Sequence, residues 1–338
     1  MMRGISALIW CAPLLAQTGV DEGIRAFHQG RYAEAKKLLS SFPSDSHAQT
    51  FLALATAASG GCRQAERSLT QQFESNGDAE LRRLCGLALT QCLIARKDFA
   101  GAAPVIARLE REFPKDADVL YESARLHMRA WNDAVLRMYQ NAPASFRVNQ
   151  LSAEIFETQG RYGEAVAEYR KAIAKNPDAL NLHFRLGRAL LLESHAPAAL
   201  EAAQKEFEAE LRLNPADAAA EYEIGQILTA RDRLSEASEH FARAVELSPD
   251  FPEALVALAK THVRAGRYSD AIALLERAVR LQPDMESAHY TLMLVYRNTG
   301  DAQKALKEKA ELDRLQKPPE GEFSEFLKKL GEKPAEKP

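Results

Sequence analysis

Ala265-Gly266-Arg267-Tyr268-Ser269-Asp270-Ala271 reads as the end of one helix and the start of the next. Glycine accepts the left-handed backbone that closes a helix. An acid in the following first turn suits a helix N-terminus. Upstream of Gly266, Leu255, Leu258, Ala259 and His262 share one helical face, and downstream Ala271, Leu274, Leu275 and Ala278 share another. Pro283 closes the unit, because proline does not continue a helix. The same layout stands at Gln159-Gly160-Arg161-Tyr162-Gly163-Glu164-Ala165 and at Gln29-Gly30-Arg31-Tyr32-Ala33-Glu34-Ala35.

These units recur with a fixed period. The step from Pro143 to Pro177 recurs from Pro215 to Pro249 and from Pro249 to Pro283, thirty-four positions each time. Ala237, Ala271 and Ala305 keep it too. From Pro177 to Pro215 the step is longer by four, which places an insertion in one unit, read as loop around Glu193–Pro197. From Pro114 to Pro143 it is shorter by five, and there Trp131-Asn132-Asp133-Ala134 is read as opening a shortened second helix. Gly187, Gly225 and Ala259 on first helices, with Ala165, Ala237 and Ala271 on second helices, mark close helix approaches. A two-helix unit leaves an apolar face uncovered, and stacking covers it. The predicted fold is therefore an all-α solenoid of nine units: 18–45, 46–82, 83–116, 117–145, 146–179, 180–217, 218–251, 252–285 and 286–316.

The repeated runs resemble the tetratricopeptide repeat family. The resemblance covers residues 18–316, well matched over 146–316 and degenerate over 18–145. It implies a right-handed superhelix of stacked antiparallel helix pairs, whose first helices form a concave surface that takes a peptide or partner helix.

Composition narrows the function classes. Lys+Arg number 44 against 47 Asp+Glu, a net charge of −3, so a strongly basic nucleic-acid-binding chain is excluded. Hydrophobic residues at 46% and charged residues at 27% fit a folded chain without the long apolar runs of membrane spans. Met1-Met2-Arg3, the uncharged run Gly4–Ala12 and the boundary after Ala16 read as a secretory signal over residues 1–16, which implies a periplasmic or secreted protein. The alternative is an uncleaved N-terminal anchor. At the other end, Phe323, Phe326, Leu327 and Leu330 have the spacing of a short amphipathic helix within a 317–338 tail, either a cap on the last repeat or a ligand for a partner groove. Residues 332–338 read as disordered.

No HExxH run, Cys/His metal spacing, GxSxG elbow or phosphate loop occurs, so no catalytic residue, metal site or cofactor is predicted. The eight histidines read as packing residues. After loss of residues 1–16, Cys62, Cys85 and Cys92 remain, and they read as three buried thiols. Cys85 and Cys92 lie about 10.5 Å apart along one predicted helix, too far to bridge. If a disulfide forms, antiparallel packing favours Cys62–Cys92 over Cys62–Cys85.

These readings point to a non-catalytic interaction scaffold, with a self-assembling solenoid or an accessory subunit of an envelope or secretion complex as the alternative. The positions interleaved with the core stripe of the first helices are Phe184, Arg188, Tyr222, Gln226, Glu253, Lys260, Arg264, Tyr290, Leu294 and Arg297. Four are basic and three aromatic, which predicts an acidic or carboxylate-terminated segment as partner. The family's Lys/Asn/Arg carboxylate clamp is not met, since Glu223, Arg185, Ala257 and Thr291 stand at a key position. The oligomeric state is left open by the sequence.

Overall fold

The computed structural model describes residues 12–316, with side chains from Thr18 onward, so residues 1–11 of the expected signal segment and the whole 317–338 tail lie outside the described residues. Every regular element among the described residues is an α-helix. The described residues divide into two compact units, with the boundary between Ala142 and Pro143.

The first unit contains α1 (Ala12–His28), α2 (Tyr32–Leu39), α3 (Ser46–Ala58), α4 (Cys62–Ser75), α5 (Ala79–Ala95), α6 (Phe99–Glu112) and α7 (Ala117–Asn141). α1 runs across the expected cleavage position after Ala16. Three antiparallel pairs precede α7, and Leu39, Leu69, Leu89, Ile106 and Leu109 lie in their common core. Aspartates cap several of these helices: Asp45, Asp78, Asp98 and Asp116 each accept a backbone N–H from the first turn that follows.

Two expectations are corrected here. The fourth repeat is not a helix pair: α7 is one helix of 25 residues that runs straight through Trp131-Asn132-Asp133-Ala134. In the next repeat a three-residue connection separates the two helices, Thr158 from Tyr162. The shortened repeat leaves only Ala130 at the corresponding place. One residue does not reverse a chain, and alanine is the best helix former. The second correction concerns cysteine. Cys62 and Cys92 form a disulfide, with Cα atoms 5.3 Å apart, so the reading of three thiols is overturned and the favoured pairing is the one formed. Among the described residues Cys85 alone stays a thiol, fully buried, and burial pushes its pKa up to about 12.

The second unit is built from five pairs: α8 (Phe146–Thr158) with α9 (Tyr162–Lys175), α10 (Leu182–Glu193) with α11 (Pro197–Leu213), α12 (Ala218–Ala230) with α13 (Leu234–Leu247), α14 (Pro252–Arg264) with α15 (Tyr268–Leu281), and α16 (Glu286–Thr299) with α17 (Ala302–Leu315). The four-residue insertion is mostly helix rather than loop. α11 has 17 residues where its counterparts have 14, and Pro197 sits at its first turn, a position that tolerates the missing N–H. At Gly266, φ is +75°, and the amides of Gly266 and Arg267 donate back to Val263 and His262. That is the left-handed helix stop the glycine predicts.

Pairs in this unit close by fitting a large side chain into a notch, except α16–α17, where Met293 and the exposed Lys309 hold the two positions. A Cβ added to Gly187 would lie 2.8 Å from the Phe207 ring, and one added to Gly225 would lie 2.5 Å from the Phe241 ring. Both rings are almost wholly buried. One period on, Ala259 and Leu275 occupy the same two positions. A second contact links each pair at its edge. Asn149 donates to Glu168 at 2.6 Å, His183 pairs with Glu206 at 2.7 Å, and His289 pairs with Glu308 at 2.6 Å. In the α12–α13 pair the residue types are exchanged, Glu221 meeting His240 at 2.5 Å, and in α14–α15 the positions hold Leu255 and Leu274.

Candidate functional site

Helical periodicity turns one stripe of each first helix into the core and leaves the flanking positions on the surface shared by successive first helices. In the second unit, α12, α14 and α16 line a cavity of about 400 Å³ there. Tyr222, Gln226, Lys260, Arg264 and Tyr290 all line it, together with Glu253 and Leu294. Its wall is otherwise largely apolar or hydroxylated, with Val256, Ala257 and Val263 from α14 and Thr229 from α12.

The aromatic side chains differ in what holds them. The Tyr222 ring lies 5.1 Å from Phe251 and 5.8 Å from Phe241, centroid to centroid, and its hydroxyl accepts a hydrogen bond from Gln226 Nε2 at 2.5 Å. Burial holds the Tyr222 hydroxyl above its ordinary pKa. Tyr290 is 54% exposed and offers a free ring face at the cavity rim. Of the two cations, Lys260 makes no ion pair among the described residues, and Arg264 stands 3.8 Å from an Asp232 that is almost entirely solvated. A pair that exposed holds its arginine weakly. With Glu253 as the one acid at the wall, the cavity carries a small excess of positive charge.

Phe184, Arg188 and Arg297 do not line this cavity. The Phe184 ring packs inward, 5.5 Å from Phe207. Its backbone amide donates to Glu210 Oε2 at 3.3 Å, while Asn181 N donates to the other oxygen at 2.8 Å, so a fully buried carboxylate of α11 caps α10. Arg188 acts on Glu223, whose carboxyl is pushed upward by burial while the arginine opposes that shift. Arg297 is exposed in the last turn of α16.

Val256, Ala257 and Val263 were not among the expected lining residues. Their signal was the period itself: Val256 stands midway between Tyr222 and Tyr290, one period from each, and Val263 follows Thr229 by the same step. Selection by charge and aromaticity passed over apolar members of the same positions. Among the described residues no group of three or more His, Cys, Asp or Glu is arranged to hold a metal ion, and no helix is long and apolar enough to cross a membrane.

Tetratricopeptide-repeat patterns match residues 154–192, 199–252 and 228–294, so the stretch that builds this cavity carries tetratricopeptide repeats. No curated protein matches the chain in sequence. Among solved structures it is similar to YrrB, described as a TPR protein with an unusual peptide-binding site, at 19% identity and TM-score 0.45 over 58% of this chain and 98% of that one. It is also similar to MamA, at 19% identity and TM-score 0.44 over 52% and 96% of the two chains. MamA 41-end from Desulfovibrio magneticus RS-1 gives 19% identity and TM-score 0.46 over 51% and 97%.

Proposed function

We propose that the chain is an exported, non-catalytic scaffold that binds a peptide segment along the first helices of its second unit. The observation that carries this reading is the α12–α14–α16 cavity, where an apolar wall, the open Tyr290 ring and the unpaired Lys260 meet. That combination suits a segment with an aromatic or aliphatic anchor next to a carboxylate. The anchor supplies buried area, and the carboxylate is drawn to Lys260 and Arg264. Only two of the four basic residues expected from sequence contribute, so the apolar anchor carries most of the affinity and the charge contributes orientation and association rate.

Export is supported by two features. Residues 1–16 have the pattern of a signal segment, and the Cys62–Cys92 disulfide belongs with an oxidising compartment. N-terminal sequencing of protein recovered outside the cytosol is expected to begin at Gln17. Recovery from the cytosol starting at Met1 would refute export.

The binding reading is tested by selecting peptides from a random display library on the full chain. Selected peptides are expected to combine an anchor with acidic residues, to lose affinity with added salt, and to bind poorly to Lys260→Glu/Arg264→Glu and to Tyr290→Ala. Circular dichroism checks that both variants fold. Unchanged affinity and salt dependence for both would remove this cavity as the site.

A further inference from the structure

The surface of α7 away from α5 carries Tyr121, Ala124, Met128, Trp131, Val135 and Met138, spaced alternately three and four positions apart. This is the seam of a helix that packs along another helix. Tyr121, Met128 and Trp131 are each at least half exposed. The opposite side of α7 is the one used inside the unit: Val119 and Leu126 are buried there, and Gln91 of α5 donates to Glu122 at 2.7 Å.

The repeat register identifies what is missing from the exposed side. Ala124 lies ten residues after Pro114, as Ala153, Gly187, Gly225 and Ala259 lie ten after Pro143, Pro177, Pro215 and Pro249. It is the notch residue. The other four are buried, and Ala124 is exposed. Met138 stands seven residues after Trp131, as the fully buried Tyr169 stands seven after Tyr162, so it is the residue that should fill the notch. On one straight helix the two are fourteen residues apart, about 21 Å along the axis. They do not meet within one chain.

We propose that α7 pairs antiparallel with α7 of a second copy, so that each copy supplies the second helix that the other's fourth repeat lacks. A two-fold axis near Arg129–Ala130 brings Met138 and Val135 of one copy to Ala124 of the other, and Met128 to Trp131. Both contacts occur twice, as an isologous interface requires. The flanking residues allow it. Arg125, held by Glu122 at 2.8 Å, comes opposite Ala134, and Asn132 comes opposite His127, so no like charges meet. Leu120, 49% exposed, extends the exposed apolar surface along the seam. Tyr121, Met128, Trp131 and Leu120, each about half exposed, give each copy roughly 400 Å² of apolar surface to bury, at the small end of the interface scale.

Light scattering on the full chain, over a dilution series, is expected to give twice the chain mass. Met128→Glu and Trp131→Lys should each reduce it to one chain, because either buries an unpaired charge at the axis. Both sites are exposed within a chain, and circular dichroism checks that the fold is kept. The double variant Met128→Glu/Trp131→Lys should recover the doubled mass, since the antiparallel pairing sets Glu opposite Lys. A parallel pairing would set like against like and recover nothing. A single-chain mass for the unmodified protein overturns the proposal. So does a doubled mass that survives both single changes, or one that the double variant does not restore.

Discussion

Replacing Gly225 by alanine tests whether helix pairs in the second unit close by notch and filler. The added Cβ would lie 2.5, 2.7 and 2.9 Å from three atoms of the Phe241 ring, all closer than real Cβ contacts come. The ring is 1% exposed and has no solvent to move into. Overpacking of this kind costs about 1–3 kcal/mol. Alanine in place of glycine returns about 1 kcal/mol of helix propensity. The net expectation is a loss of up to about 2 kcal/mol, read as a lower urea midpoint with an unchanged m-value. Phe241→Leu alone should lose a similar amount by leaving a cavity. The double variant Gly225→Ala/Phe241→Leu recreates the Ala259–Leu275 pair of the next repeat, and it should be more stable than the two separate losses predict, by about 1 kcal/mol. A Gly225→Ala protein that is more stable than the original by its full propensity gain, or losses that simply add, would refute the notch argument.

Three further outcomes follow from the chemistry of individual side chains. The Cys62–Cys92 disulfide closes a loop across a sequence separation of 30, so Cys62→Ser/Cys92→Ser should lower unfolding free energy by about 3.5 kcal/mol in denaturant titration. In the unaltered native protein Cys85 should resist thiol reagents until the chain unfolds, since burial has pushed its pKa up to about 12. Burial also raises the carboxyl of Glu223, so the folded chain holds that proton more tightly than the unfolded chain does. The resulting stability is intact below about pH 4 and is lost as pH rises through the folded value. Glu223→Gln should therefore raise the thermal midpoint at neutral pH and leave it nearly unchanged in acid.

The helix pairs were legible because their signals are local and repeated: Gly266 stops one helix, Pro283 bounds the unit, and Ala271 fixes the register one period after Ala237. The fourth repeat misled because a good N-terminal sequence, Trp131-Asn132-Asp133, carries no information about whether the chain before it has room to turn. Whether Cys62 and Cys92 approach within reach depends on the packing of α4 against α5, which spacing along the chain suggests but does not fix. At the candidate site, Tyr222, Lys260 and Tyr290 were readable from period and residue type. Phe184 was not, because a buried Glu210 from another helix sets where α10 begins, and the ring then finds Phe207.

The exchanged pair at the edge of α12–α13 bears on how a chain of near-identical hairpins avoids assembling out of turn. Repeat proteins risk pairing a helix with the counterpart from a neighbouring unit, since the shapes are almost the same. Here the wrong partner brings the wrong chemistry. If α12 took α11 in place of α13, Glu221 would face Glu206, two acids with no proton donor between them. With α13 in place of α15, Leu255 of α14 would leave His240 without its carboxylate, and with α15 in place of α17, His289 of α16 would meet Leu274. The last three hairpins thus carry a tag at one fixed address, and proofreading of neighbour order is built into that side chain.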